Sequence, residues 1–150
     1  MNYVAIDQFD TANGIGIGTV LWVSGCNHHC PYCHNPQTHD PNFGRPWTQH
    51  QMEFLLKTLE PNYITRLTLS GGDPLYPDNR PEVEHVLQTV KTTYPQKSIW
   101  LYTGYLYEDI KNLRLMDYVD VIVDGPFLIS QKEINLKFRG SANQRIIQLR

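Results

Sequence analysis

The chain has 150 residues and only three cysteines, all within one stretch, Cys26-Asn27-His28-His29-Cys30-Pro31-Tyr32-Cys33-His34-Asn35. Three thiols are not an even disulfide set, so the fold has to rest on a hydrophobic core. The residues that deliver them, Thr19-Val20-Leu21-Trp22-Val23-Ser24, are β-branched, aromatic and nearly all apolar, as a strand buried on both faces of a parallel sheet requires. Parallel α/β sheets place their chemistry at the carboxyl ends of strands, and this strand runs straight into Gly25-Cys26.

The remaining chain alternates helix and strand. Thr48-Gln49-His50-Gln51 has the form of a capping box, and Met52, Leu55, Leu56 and Leu59 follow at helical spacing until Pro61. Arg66-Leu67-Thr68-Leu69-Ser70 reads as a second strand that ends in Gly71-Gly72-Asp73-Pro74-Leu75. Pro81 opens a second helix whose Val83, Val86, Leu87 and Val90 share a face, and Tyr94-Pro95 closes it. A third strand, Ser98-Ile99-Trp100-Leu101-Tyr102, leads into Thr103-Gly104-Tyr105. A third helix is expected from about residue 107 to 116, and a fourth strand over residues 119–123, ending in Asp124-Gly125-Pro126-Phe127. The run Asn13-Gly14-Ile15-Gly16-Ile17-Gly18 precedes a strand and lacks G-x-G-x-x-G spacing, so it reads as a flexible lead-in and not a nucleotide loop. Residues 138–147 are polar and then apolar, as in a final strand or an arm across the opening.

Repeated βαβ units of this length give an α/β fold of one domain spanning residues 1–150. A closed eight-stranded barrel takes roughly 250 residues, so any barrel must be partial. The expectation is an open partial (β/α) barrel of about four to five mainly parallel strands, with helices on the outside and loops gathered at one mouth. A net charge of -2 without a basic stripe argues against nucleic acid. The first residues lack the regions of a signal peptide and no apolar run approaches membrane-spanning length, which predicts a soluble cytoplasmic protein with reduced thiols.

Three thiolates cannot complete the four-thiolate shell of an ordinary iron-sulfur cluster. A 4Fe-4S cluster held here would have one iron without a protein ligand, an open position at which to bind and activate something. A Cys3His zinc site using His28, His29 or His34 is the competing reading, although zinc knuckles normally draw ligands from two separated pairs. His28, His29 and His39 read as solvated loop histidines, while His34 adjoins Cys33 and can touch a cofactor.

The spacing C-x3-C-x2-C, with Tyr32 before the last cysteine, resembles the radical S-adenosylmethionine (radical SAM) enzymes. The resemblance implies that Cys26, Cys30 and Cys33 ligate the cluster, that its open iron chelates the amino and carboxylate groups of SAM, and that reductive cleavage yields methionine and a 5′-deoxyadenosyl radical. Gly71-Gly72-Asp73 is similar to the family's G-G-E motif, with Asp73 in place of Glu, and would hold the methionyl end of SAM. Tyr32 and His34 would flank the cluster, with their backbone meeting the adenine. No general acid or base is implied, which suits hydrogen-atom transfer.

Further stretches narrow the likeness. Ser24-Gly25-Cys26, Cys33-His34-Asn35-Pro36, Ser70-Gly71-Gly72-Asp73-Pro74-Leu75, Tyr102-Thr103-Gly104-Tyr105, Val123-Asp124-Gly125-Pro126-Phe127 and Arg139-Gly140-Ser141 with Asn143-Gln144-Arg145 resemble the activases of anaerobic (class III) ribonucleotide reductases. That implies a protein substrate: hydrogen abstraction from a glycine in a loop of the reductase large subunit, with an electron donor such as flavodoxin. Tyr102, Thr103, Asp124 and Arg139 become candidates for the mouth or the partner surface. One departure concerns Pro-Gly-x-Arg, which often precedes the first strand in that family; here the residues are Ile15-Gly16-Ile17-Gly18. A radical SAM enzyme acting on a small molecule, such as a 7-carboxy-7-deazaguanine synthase, and a non-catalytic zinc module are the other functions the residues allow.

Overall fold

The computed structural model describes residues 1–150. Asn2–Asp10 (β1), Ile17–Val23 (β2), Arg45–Pro46 (β3), Ile64–Gly71 (β4), Ser98–Tyr102 (β5), Val121–Asp124 (β6) and Arg145–Gln148 (β7) form one sheet, in the order β3-β1-β2-β4-β5-β6-β7. The strands β2, β4, β5 and β6 are parallel neighbours in chain order. The flanking strands β1, β3 and β7 pair antiparallel. Helices Gln49–Leu59 (α1), Arg80–Thr93 (α2) and Tyr107–Ile110 (α3) occupy the three crossovers. No helix is long and apolar enough to cross a membrane.

Side chains alternate across a strand, so each parallel strand serves two faces. Leu21, Val23, Leu67, Leu69, Ile99, Leu101 and Ile122 share one core with Met52, Leu55 and Leu59 of α1 and Val83, Val86, Leu87 and Val90 of α2. Fully burying such a side chain is worth about 1.5–3 kcal/mol over leaving it exposed, and this layer therefore carries most of the stability. On the opposite face, Trp100, Val121 and Val123 pack with Tyr102 and Phe138. That face holds few apolar side chains, which leaves room above the strands.

Two local departures from the sequence expectation have physical causes. The amino-terminal residues form β1, because its hydrogen bonds to β2 satisfy a strand edge that would otherwise lie open. The third helix stops after Ile110, and a separate 3-10 turn, Arg114–Tyr118, follows. Leu115, Met116 and Val119 are all buried, and a continuous helix could not turn that set and Ile110 to the same side. The carboxyl-terminal stretch ends as expected in a final strand, β7, antiparallel beside β6.

The segment between β1 and β2 is pinned, not flexible. Arg66, fully buried in β4, donates from Nε to Ile15 O at 3.2 Å and from Nη1 to Asn13 O at 3.1 Å. Its Nη2 reaches Asp10 O at 2.8 Å and Asp10 Oδ2 at 3.0 Å. Burial opposes ionisation of Asp10, yet hydrogen bonds from Asn13 and Arg66 hold its carboxyl below the usual range. Gly18, where the resembled pattern has arginine, lies directly beside Arg66 in the strand register. A Cβ on residue 18 would lie 2.6 Å from the Arg66 guanidinium carbon. The neighbouring strand thus delivers a guanidinium to the space above residue 18.

Arg66→Ala should lower the unfolding free energy in urea by about 3–5 kcal/mol, since it strands Asp10 and several carbonyls. A variant as stable as wild type in that titration would overturn the anchoring role of Arg66.

Candidate active site

The carboxyl ends of the four parallel strands meet along one edge, and a cavity opens there. Cys26, Cys30, Cys33, His34, Gly71, Gly72 and Asp73 line it, together with Tyr102, Thr103 and Gly104. Of the residues expected to hold a cofactor, Tyr32 alone stands apart. It is 78% exposed and does not line the cavity, although the contact expected of it is through its backbone.

The loop after β2 can make this turn because Gly25 takes φ +102, which a side chain would oppose. Backbone bonds then fix it: Gly25 N–H donates to Thr38 O at 2.7 Å and Cys33 N–H to Cys30 O at 3.1 Å. The loop after β4 docks on it through Asp73 N–H to Gly25 O at 2.7 Å. A Cβ on residue 72 would stand 2.6 Å from Gly25 O and 2.7 Å from Thr38 O, so the second glycine is required for the two loops to touch.

Asp73 is 1% exposed and accepts five contacts. Oδ1 takes Leu75 N–H at 2.8 Å and Thr103 Oγ1 at 2.9 Å; Oδ2 takes His28 Nε2 at 2.6 Å, Thr103 Oγ1 at 2.9 Å and Gly104 N–H at 2.9 Å. Donors from the loops after β2, β4 and β5 therefore converge on one carboxylate. His28 is accordingly no solvated histidine, and neither His28 nor Thr103 carried any sequence signal of this role, since their partner lies 45 and 30 residues away.

Other expected mouth residues divide. Tyr102 lines the cavity, and its hydroxyl donates to Phe138 O at 2.6 Å; burial raises its phenol well above the ordinary range. Asp124 is fully buried away from the cavity, where it accepts Tyr107 N–H at 2.7 Å and Arg145 Nε at 3.0 Å. It braces α3 against β7 and is not a mouth residue. Arg145 also grips Glu108 and holds that carboxyl down at about 2. Arg139 lines a neighbouring hollow that shares His34, Ser70 and Tyr102 with the main cavity, and its Nε is buried without a partner.

The donor set fits an iron-sulfur cluster. Three thiols face one cavity. A cluster takes each thiolate on a separate iron. Burial pushes the Cys26 thiol up to about 11 from 9.0. The metal-free fold therefore holds that proton more tightly than the unfolded chain, and the stability gained is present below pH 9 and lost as pH rises toward 11. Metal-free wild type should lose more Tm than Cys26→Ser between pH 9 and pH 11 in thermal scans under reductant.

The chain is similar to known proteins along its whole length. The family model described as "4Fe-4S single cluster domain" matches residues 12–147. Three relatives carry the name anaerobic ribonucleoside-triphosphate reductase-activating protein. That of Enterobacteria phage T4 is 45% identical, covering 97% of this chain and 93% of its own. That of Vibrio cholerae serotype O1 is 41% identical over 97% of both chains, and that of Escherichia coli K12 is 38% identical over the whole of both. With a cysteine-lined cavity at the strand ends and full-length similarity of this order, the chain belongs to the family of anaerobic ribonucleoside-triphosphate reductase-activating proteins.

Proposed function

We propose that the protein is a radical SAM activase of an anaerobic ribonucleoside-triphosphate reductase, acting in the cytoplasm. Its sheet would be an open partial barrel of the radical SAM type, formed by the whole chain as one domain. The observation that carries this reading is that Cys26, Cys30 and Cys33, with no fourth cysteine in the chain, line the same cavity as the Gly71-Gly72 backbone.

A 4Fe-4S cluster bound there would supply the electron, drawn from a donor such as flavodoxin, for reductive cleavage of SAM, and the resulting 5′-deoxyadenosyl group would take a hydrogen atom from a glycine of the reductase. The chain's own work is placement. Cys26, Cys30 and Cys33 would hold the cluster and leave one iron for SAM. Gly71 and Gly72, which have no side chains, let backbone approach the methionyl end closely. His34 stands beside Cys33 at the wall, with its ring 5.6 Å from that of Phe127. Asp73 is saturated by protein donors, so its part is to set the loop that carries the two glycines. Phe127, Gly140 and Gln144 wall the carboxyl-terminal side, and the cavity stays open beside them. A polypeptide loop needs that access, and holding its Cα–H within reach of the radical carbon is the main catalytic task.

Anaerobic, iron-reconstituted protein mixed with SAM, reductant and the reductase subunit should produce a glycyl radical by electron paramagnetic resonance (EPR). Cys30→Ala should abolish the signal. An undiminished signal in that variant would refute the ligand set.

A further inference from the structure

His28 sits two residues from Cys26 and two from Cys30, and its ring is enclosed by parts of other loops. Nε2 donates to Asp73 Oδ2 at 2.6 Å. The ring of Tyr105 stands edge-on at 4.5 Å between centroids. Residue 104 supplies the third wall: a Cβ there would lie 2.6 Å from His28 Cδ2 and 2.8 Å from Nε2, so glycine is needed at that position for the imidazole to fit. The enclosure continues outward, with the Tyr105 hydroxyl donating to Asn27 Oδ1 at 3.3 Å and the Arg80 guanidinium over the Tyr105 ring at 5.5 Å.

The carboxylate at the centre has no lone pair to spare. Thr103 Oγ1, Gly104 N–H and Leu75 N–H fill what His28 leaves, and Asp73 is almost wholly buried. A group so saturated orders its donors. His28 is the only one of them that comes from the cysteine loop, and it ties that loop to the carboxylate on which the loops after β4 and β5 converge, beside the Tyr105–Asn27 bond.

Building on the activase reading, we propose that His28 is a positioning residue for the reaction. Through Asp73 it sets the cysteine loop against the Gly71-Gly72 backbone, and so fixes the spacing between the metal side of the cavity and the peptide groups that take the methionyl end of SAM. Partners of this kind, which orient the groups that bind without binding themselves, typically change affinity or activity about 10- to 100-fold when removed.

Three variants isolate the contact. His28→Phe keeps a ring against Tyr105 but loses the donor. His28→Gln keeps an amide donor. Gly104→Ala leaves His28 in place in the sequence and drives its ring off Asp73. Each full-length protein is reconstituted anaerobically, its iron is counted, and the reduced cluster is titrated with SAM while the SAM-induced change in its EPR spectrum is followed. Iron content should match wild type in all three. The SAM concentration at half-change should rise at least about tenfold in His28→Phe and Gly104→Ala, and stay within about threefold in His28→Gln. Because His28→Ala makes room for a methyl group at residue 104, His28→Ala with Gly104→Ala should be no worse than His28→Ala alone. If His28→Phe does not fold, Gly104→Ala and the Ala pair decide the question. A wild-type response in His28→Phe or in Gly104→Ala, or additive losses in the Ala pair, overturns the role of His28 while leaving the activase reading intact. A wild-type cluster indifferent to SAM overturns that reading and this role with it.

Discussion

A carboxylate taken out of water must find donors inside the protein or the structure around it fails, because an unpaired buried charge costs several kcal/mol. Asp73 meets that demand with groups from three loops: His28 after β2, Leu75 after β4, Thr103 and Gly104 after β5. Loops are ordinarily the most mobile parts of an α/β fold. Here their ends share one acceptor, and the cavity they line inherits that order.

The opposite end of the sheet repeats the logic with the charge reversed. Arg66 is a buried cation, and its guanidinium draws carbonyls from residues 10–16 over the amino end of β4. Between these two polar centres lie Trp100, Val121 and Val123, a thin apolar layer beside the deep core on the helix side. The sheet is thus packed by helices on one face and tied by hydrogen bonds at both ends of the other. That division leaves room above the second face, where the carboxyl-terminal residues cross it.

The glycines at the site are explained by contact, not by flexibility. Gly72 is small because two carbonyls press on it, and Gly104 because the His28 ring does. Both positions hold loops together, so Ser70-Gly71-Gly72 and Thr103-Gly104-Tyr105 record how closely the loops pack. The apolar strands and amphipathic helices were legible from periodicity alone. The strand β1 was not, because only one of its nine residues is fully buried and its stability comes from pairing with β2. The early end of α3 was equally hidden, since the burial of Leu115 and Met116 against distant residues decides it.

What the sequence determined by itself is local: three cysteines at a strand end, glycines where backbone must pass closely, helices marked by Thr48 and Pro81, and a set of motifs sufficient to assign the family. What only the tertiary structure decided is which distant groups meet. It moved Asp124 from the mouth to a brace with Arg145, set Tyr32 outside the cavity, brought Arg66 over Gly18 and turned His28 from solvent to Asp73. The physical reason is the same in each case: a polar group's partner is chosen by which strands lie side by side and which loops share an edge, and that adjacency exists only once the sheet has formed.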